Sequence, residues 1–512
     1  MKNGVRALSR DGALARQSTF AFLGIVLCAL ALFLVSINLG WVGYTGSDDY
    51  DYWKGGKGWL DHFPYVGELL ASRETITVPL ALSITLLGDN LFSLVVPTLL
   101  YALGLVLLVI AWIYSVSGAR SAFAVAAILA TSPILILWST TASVDPIEAF
   151  FVLASVYLFY ASITSGPSWR RLLGAGALAA LGMLTRETSV FLLLTYGLLF
   201  LAGYGMPRKW YWAMAAGFVP VILAEMAYFW YATGNPLHRY TAAFHHDTDI
   251  NRWIEQGSGT PIVHPVIDPF LMLIFSHYFG LLFWVGIPLS AWLLARRTAD
   301  VQTRRLLTLL TALGATWFVA AGAPVGFLTL LPRYVTVTAV CASILTGLAL
   351  ASLWESGRRR LALLIGAALV GSNLISIDLD SKDQLFGAFT LTELTSPGGP
   401  TIHTDPGSVH RAEQLLKWKG TFEKVSEVPP RPGDLYFYDP VRANTPSRLM
   451  SAARIPDYQP RADWIVLERR EPPPRGLRKI LGLLINPDNL PPLLKRLFNK
   501  GHLGVTLYRV PG

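Results

Sequence analysis

Residues 41–74 read WVGYTGSDDYDYWKGGKGWLDHFPYVGELLASRE, and residues 75–88 continue as TITVPLALSITLLG. The second stretch decides the topology. A hydrocarbon core ~30 Å thick takes about 20 apolar helical residues, and 75–88 offers 14. It therefore reads as a segment lying along the membrane interface or against a bundle. Counted as a crossing, it would reverse the side of every later loop.

Outward from this segment, apolar runs recur at 19–40, 91–115, 121–138, 146–165, 172–185, 189–206, 210–232, 269–295, 306–322, 332–354 and 361–377, which predicts eleven transmembrane helices. Basic residues favour the cytoplasmic side of short loops. Lys2, Arg6, Arg10 and Arg16 precede the first run, and Arg120, Arg170 with Arg171, Arg208 with Lys209, the group from Arg296 to Arg305, and Arg358 to Arg360 follow at every second loop. These segments hold 16 basic and 3 acidic residues; the intervening ones hold 7 basic and 14 acidic. The alternation predicts a cytoplasmic N-terminus, and an odd number of spans puts the C-terminal region outside. The first span is too long for a signal-peptide core and lacks a small-residue cleavage site, so it reads as retained.

Composition agrees. Of 512 residues, 53% are apolar and 15% charged, against ~25% charged in soluble domains. Residues 378–512 nevertheless carry 34 of the 75 charged side chains. The expected organisation is a cytoplasmic N-terminus (1–18), a transmembrane domain (19–377) and an extracytoplasmic α/β domain (378–512) of a cell (inner) membrane protein. The net charge of +9 resolves into an orientation signal and implies no nucleic-acid partner. Cys28 and Cys341 lie inside apolar runs, which excludes a disulfide framework or a cysteine zinc site.

The outer segments carry the candidate chemistry. In 41–74, Asp48, Asp49, Asp51 and Asp61 stand among Trp41, Tyr44, Tyr50, Tyr52, Trp53 and Trp59. The rings are suited to anchoring at the interface and the carboxylates to a solvated loop; the functional reading is a general base at the exit of the first helix. Asp145, before Pro146, reads either as a helix cap or as part of the site. Leu172–Leu184 has 13 residues, ~20 Å of helix, so Arg186 and Glu187 fall below the outer surface. Ionisable groups at such depth pair with each other or face a wet cavity. In Leu331-Pro332-Arg333-Tyr334, Arg333 opens a helix beside unpaired N–H groups, a place that suits a phosphate; snorkelling to headgroups is the alternative. Arg73 adds a positive group where the first loop re-enters apolar sequence. His245, His246, Asp247 and Asp249, with His238 and His264 farther off, read as a metal site or a polar acceptor-binding loop. Glu225 lies within a span, satisfying a neighbour or facing a cavity.

The acidic pair after the first span, Ser72-Arg73-Glu74 leading into Pro79 and Gly88, Asp145, the turn Leu184-Thr185-Arg186-Glu187-Thr188 and Pro332-Arg333-Tyr334 together resemble the membrane glycosyltransferases of the protein-mannosyltransferase and aminoarabinose-transferase superfamily, the C-type glycosyltransferase (GT-C) fold. The resemblance covers roughly residues 15–377. It implies an inverting transferase that moves a sugar from a polyprenyl-phosphate donor to a lipid, glycan or protein acceptor at the outer face of the membrane. It implies Asp48 as the catalytic base, Asp49 as the second acidic position and Asp145 as a second-loop acidic residue. Arg186 matches a basic position near the carrier phosphate, and Arg73, Glu187, Arg333 and Tyr334 join the substrate-binding set. Many relatives need no metal or other cofactor for this step, and other branches of the fold hold a divalent ion. The chain departs from the eukaryotic protein mannosyltransferases in lacking a large central insert.

In the C-terminal region, strands are predicted at 400–404, 434–438, 464–468 and 504–509, and helices at 408–419 and 477–484. No nucleophile motif or phosphate-binding glycine loop occurs there, which predicts acceptor recognition or structural covering. Two other classes compete with the transferase. A transporter or flippase of a lipid-linked sugar suits many helices with buried charges, but transporter halves often repeat and these do not. A scaffold leaves the acidic loop unexplained.

Overall fold

The computed structural model describes residues 2–243, 266–296, 300–322, 331–380, 385–443, 458–473 and 504–512, with backbone only for 2–18, 379, 380 and 441. Helix α1 (Lys2–Leu39) is followed by α2 (Asp48–Asp61), α3 (Glu74–Leu87), α4 (Leu91–Ala130), α5 (Pro133–Ser139), α6 (Asp145–Ser165), α7 (Trp169–Thr185), α8 (Val190–Leu201) and α9 (Tyr211–Thr233). After the next undescribed segment come α10 (Ile267–Phe275), α11 (Leu282–Ala295), α12 (Val301–Gly322), α13 (Thr336–Glu355) and α14 (Arg359–Asp380). Among the described residues seven helices are long and apolar enough to cross a membrane: Thr19–Leu39, Leu91–Ala130, Asp145–Thr164, Arg208–Thr233, Val301–Gly322, Pro332–Glu355 and Arg359–Asp378. The chain is an integral membrane protein.

The other expected spans are shorter or interrupted, for local reasons. Segment 121–138 is joined to its predecessor in α4, which breaks at Gly118 (φ 78°). The joined helix then ends at Thr131, because Ser132 is extended ahead of Pro133. Segment 269–295 divides into α10 and α11 around Gly280, at φ 52°. Segments 172–185 and 189–206 appear as α7, of 17 residues, and α8, of 12. The stretch 75–88 is α3, a 14-residue helix. Asn90 separates it from α4, its side chain accepting from Phe92 N and Ser93 N in a capping box.

Small residues set the packing of the bundle. A Cβ on Gly176 in α7 would stand 1.9 Å from Met214 O, and one on Gly217 in α9 would stand 2.0 Å from Leu173 O. The two backbones touch, as helices in lipid do where small residues line their interface. Ser155 of α6 donates to Ala175 O at 2.7 Å from the other side. Thus α7 is clasped along its length, and its C-terminal end is held in place against α6 and α9.

The C-terminal region carries α15 (Phe386–Leu394), β1 (Ile402–His403), α16 (Pro406–Lys419), β2 (Val425–Ser426), β3 (Leu435–Tyr438), α17 (Pro440–Ala443), β4 (Ile465–Arg470) and β5 (Val505–Arg509). The strands form one mixed sheet ordered β2-β1-β3-β5-β4, in which β1 runs parallel to β2 and β3 while β5 is antiparallel to β3 and β4. The expected small α/β unit is present. The two-residue β2 was not expected, being too short to show alternation, and the expected helix 477–484 lies outside the described residues. Helix α16 begins as its sequence predicts, with Asp405 accepting from Ser408 N, Pro406 in the first turn, and Gly420 at φ 71° ending it.

Candidate active site

The loop between α1 and α2 is tied down before it reaches its acidic pair. Gly43 N donates to Thr140 O at 2.7 Å, and the Thr140 hydroxyl donates to Gly40 O at 2.9 Å, so the loop lies along the chain that follows α5. Gly43 and Gly46 take φ 80° and 61°, a region where a side chain is strained.

The two neighbouring aspartates then part company. Asp49 is 1% exposed. Its Oδ1 accepts from the Thr45 hydroxyl (2.8 Å), Ser47 N (2.8 Å) and Tyr50 N (3.1 Å), and its Oδ2 from Thr45 N (2.5 Å) and the Thr141 hydroxyl (3.4 Å). Burial pushes its pKa above the ordinary carboxylate value; the bonds from Thr45 and Ser47 pull it back, and the Asp48 charge adds to the rise. Asp48, first residue of α2, is half-buried and accepts from Arg333 Nη1 at 2.8 Å. Burial would raise its pKa, but the charge and hydrogen bond of Arg333, with the charges of Arg73 and Arg186, outweigh burial and hold it below the usual value. Asp48 is therefore an ionised carboxylate with access to solvent, whereas Asp49 organises the turn.

Around Asp48 the arginines arrive from separate elements. Arg333 lies in the short turn Pro332–Val335 that opens α13, with its guanidinium 5.5 Å from the Trp138 ring centroid and 5.9 Å from that of Tyr334. Arg186 ends α7 in an extended conformation, φ −157°. It bonds Asp145 Oδ1 at 2.5 Å, approaches Glu148 at 3.9 Å and covers the Tyr334 ring at 4.1 Å. Arg73 donates to Tyr52 Oη (3.0 Å) and to Glu187 (2.9 Å). Glu187 is shared with Arg239, which also holds Glu225 at 2.6 Å.

The structure thus brings Asp48, Asp49, Arg73, Asp145, Arg186, Glu187, Arg333 and Tyr334 together at one end of the bundle. Arg186 and Glu187 do not pair with each other: they diverge at the end of α7, one toward Asp145 and the other toward Arg73. Asp145 makes no capping bond to α6; the Ser143 hydroxyl and Arg186 take its oxygens instead. Sequence reasoning did not single out Arg239 or Trp138, and it read Tyr52 as an interfacial ring, whereas Tyr52 is 1% exposed and accepts from Arg73. The signal for Arg239 was Glu225, a carboxylate within a span, which demands a cation nearby.

Among the described residues, Arg73 Nε, Arg333 Nε and Trp138 Nε1 are buried N–H groups without a hydrogen-bond partner. Such groups are costly unless an acceptor meets them. Two guanidinium edges and an indole N–H suit an anion's oxygens. Beside α2, a cavity of about 700 Å³ is lined in part by Asp51, Lys54, Tyr65, Glu68 and His238. Among the described residues no three histidine, cysteine or acidic side chains converge to hold a metal ion. His245, His246, Asp247, Asp249 and His264 lie outside the described residues.

The chain is similar in structure to ArnT from Cupriavidus metallidurans, solved in the apo state and bound to undecaprenyl phosphate. Each comparison has 13% identity and a TM-score of 0.56, covering 88% and 87% of this chain respectively and 96% of ArnT. It has the GT-C fold. The GT-C resemblance read from the sequence agrees with a second comparison, in which residues 78–231, from α3 to the end of α9, match the family described as dolichyl-phosphate-mannose-protein mannosyltransferase. The same GT-C likeness extends to the oligosaccharyltransferase of Archaeoglobus fulgidus in complex with zinc and sulfate, at 15% identity and a TM-score of 0.51 over 76% of this chain and 61% of that one. It also extends to AglB from that organism with an inhibitory peptide and a dolichol phosphate, at 14% and 0.50 over 77% and 63%. No curated protein matches the sequence.

Proposed function

We propose that the protein is an inverting glycosyltransferase that takes a sugar from a polyprenyl-phosphate donor and passes it to a hydroxyl acceptor. The observation that carries this reading is the meeting of Asp48 with Arg333 at 2.8 Å, near enough to Arg73 and Arg186 for their charges to act on it, with Arg73 Nε, Arg333 Nε and Trp138 Nε1 as unpartnered donors. A carboxylate open to solvent stands beside cations suited to phosphate. The polyprenyl phosphates bound to ArnT and the archaeal oligosaccharyltransferase make the same class of leaving group a coherent donor.

In the proposed step the acceptor oxygen attacks the anomeric carbon while the bond from that carbon to the phosphate oxygen breaks. Asp48 takes the hydroxyl proton, and the polyprenyl phosphate leaves with the electron pair. Arg333 and Arg186 stabilise the charge developing on the phosphate, and the Tyr334 ring, 4.1 Å from the Arg186 guanidinium carbon, helps hold that side chain in place. Asp145, Glu148 and Glu187 hold the arginines in position. The acceptor approaches through the cavity beside α2, where Asp51 lies one helical turn from Asp48. We place this face outside the membrane and the N-terminus in the cytoplasm, on the alternation of basic loops, with residues 378–512 as the extracytoplasmic unit.

The test is transfer by purified protein in detergent, with a synthetic polyprenyl-phosphate sugar as donor. A glycosylated acceptor with inverted anomeric configuration supports the reading. Movement of lipid-linked sugar across vesicles with no transferred product would favour the flippase and overturn it.

A further inference from the structure

The loop bearing Asp48 is bound from two sides. Asp49 takes the N–H of Thr45 from within. From without, Arg411 in the middle of α16 donates through Nη1 to Thr45 O at 2.7 Å and Gly46 O at 2.8 Å. The approach is close: a Cβ on Gly46 would stand 3.1 Å from Arg411 Cδ and 3.1 Å from its carbonyl oxygen, and φ 61° there disfavours a side chain as well. Other contacts seat the same helix on the same loop. The Trp418 ring meets Tyr44 at 5.9 Å, and the Trp418 and Trp53 indoles both donate to Asp89 Oδ1, at 2.9 and 2.8 Å.

These contacts bear on the geometry of the base. Thr45 and Gly46 lie just ahead of Asp48, and Asp49 holds the Gly46–Ser47 peptide through Ser47 N at 2.8 Å but does not bond the Thr45–Gly46 peptide before it. Arg411 does, with a charge-assisted bond to each carbonyl. A C-terminal unit serving only as a cover would need apolar contact and no cation aimed at two backbone oxygens of this turn.

We propose that Arg411 is a positioning residue for Asp48, so that the C-terminal unit completes the catalytic loop. This rests on the reading of Asp48 as the base. Misplacing a reacting group by ~1 Å costs up to about 10²-fold in rate. Arg411→Ala in the full-length protein should therefore lower kcat about 10- to 100-fold while leaving KM for the lipid donor within about threefold. Arg411→Lys, which keeps a charged donor, should recover part of the loss. Lys417→Ala, on the same helix but paired with Glu413, should behave as wild type.

Hydrogen exchange at residues 42–50 provides a readout independent of activity and should rise in Arg411→Ala but not in Lys417→Ala. Wild-type kcat and protection in Arg411→Ala, with Asp48→Asn inactive, would overturn the positioning role and leave the base reading standing. Wild-type turnover in Asp48→Asn would instead remove the base reading itself. A loss in Arg411→Ala that accompanies poor folded yield and is not recovered by lysine would mark a general fold defect and also count against positioning.

Discussion

Replacing Asp49 by asparagine separates the two adjacent aspartates more sharply than any other change. In the native loop Oδ2 of Asp49 receives Thr45 N at 2.5 Å and the Thr141 hydroxyl at 3.4 Å, while Oδ1 receives three further donors. An asparagine oriented to keep the Oδ1 set places its NH2 where Oδ2 was, so the Thr45 N–H faces a donor. The cost combines a lost bond to a charged group with a buried, unsatisfied N–H, together about 2–4 kcal/mol. If the loop opens locally, that cost corresponds to roughly 30- to 1,000-fold faster amide exchange over residues 42–50. Asp48→Asn, which disturbs the bond to Arg333 and a weak 3.4 Å contact from Ser47, should leave exchange in this loop within a few-fold of wild type. Hydrogen-exchange mass spectrometry on detergent-purified protein reads both variants. Equal protection in Asp49→Asn and wild type would refute the assignment of Asp49 as the organiser of the turn.

The other predictions concern the cations and the helix packing. Arg333→Gln removes the charge that holds the Asp48 carboxyl below its ordinary value against burial, while Arg73 and Arg186 remain. The base then protonates at a higher pH, so the acid limb of the kcat/KM profile should move to higher pH; an unmoved limb would contradict the pairing. Arg186→Ala should raise KM for the polyprenyl-phosphate donor more than for the acceptor, measured by varying each substrate in turn. Gly176→Leu forces a side chain into Met214 O and parts α7 from α9. It should lower the thermal stability of the purified protein and reduce transfer, and a variant with unaltered melting and activity would show that the close approach is dispensable.

Much of the site was legible because charge is scarce in an apolar chain. The arginines and acids at segment ends stood out at Asp48, Asp145, Arg186 and Arg333, and their common sidedness followed from the alternation of basic loops. What periodicity could not show was pairing. Arg186 and Glu187 are adjacent, yet the extended backbone at Arg186 sends them to different partners, a fact set by the end of α7. Likewise, the residues alone did not say which of Asp48 and Asp49 would serve as base, and only the family resemblance separated them, because their division of labour depends on the folded turn around Thr45 and on an arginine 285 residues away. Helix continuity was the weakest expectation. Hydropathy continues across Pro133 and Gly280, where backbone geometry interrupts the helix. The contribution of α16 was invisible, since nothing in its composition marks Arg411 as aimed at a loop more than 360 residues earlier.

In the proposed reaction Asp48 is the group that receives the acceptor's proton. The direct measurement is single-turnover transfer from a synthetic polyprenyl-phosphate sugar by folded Asp48→Asn protein, with donor binding measured alongside. The expected result is a fall of about 10²- to 10⁴-fold in the transfer step, with the donor still bound and the loop still protected. Transfer at the wild-type rate in that variant would contradict it.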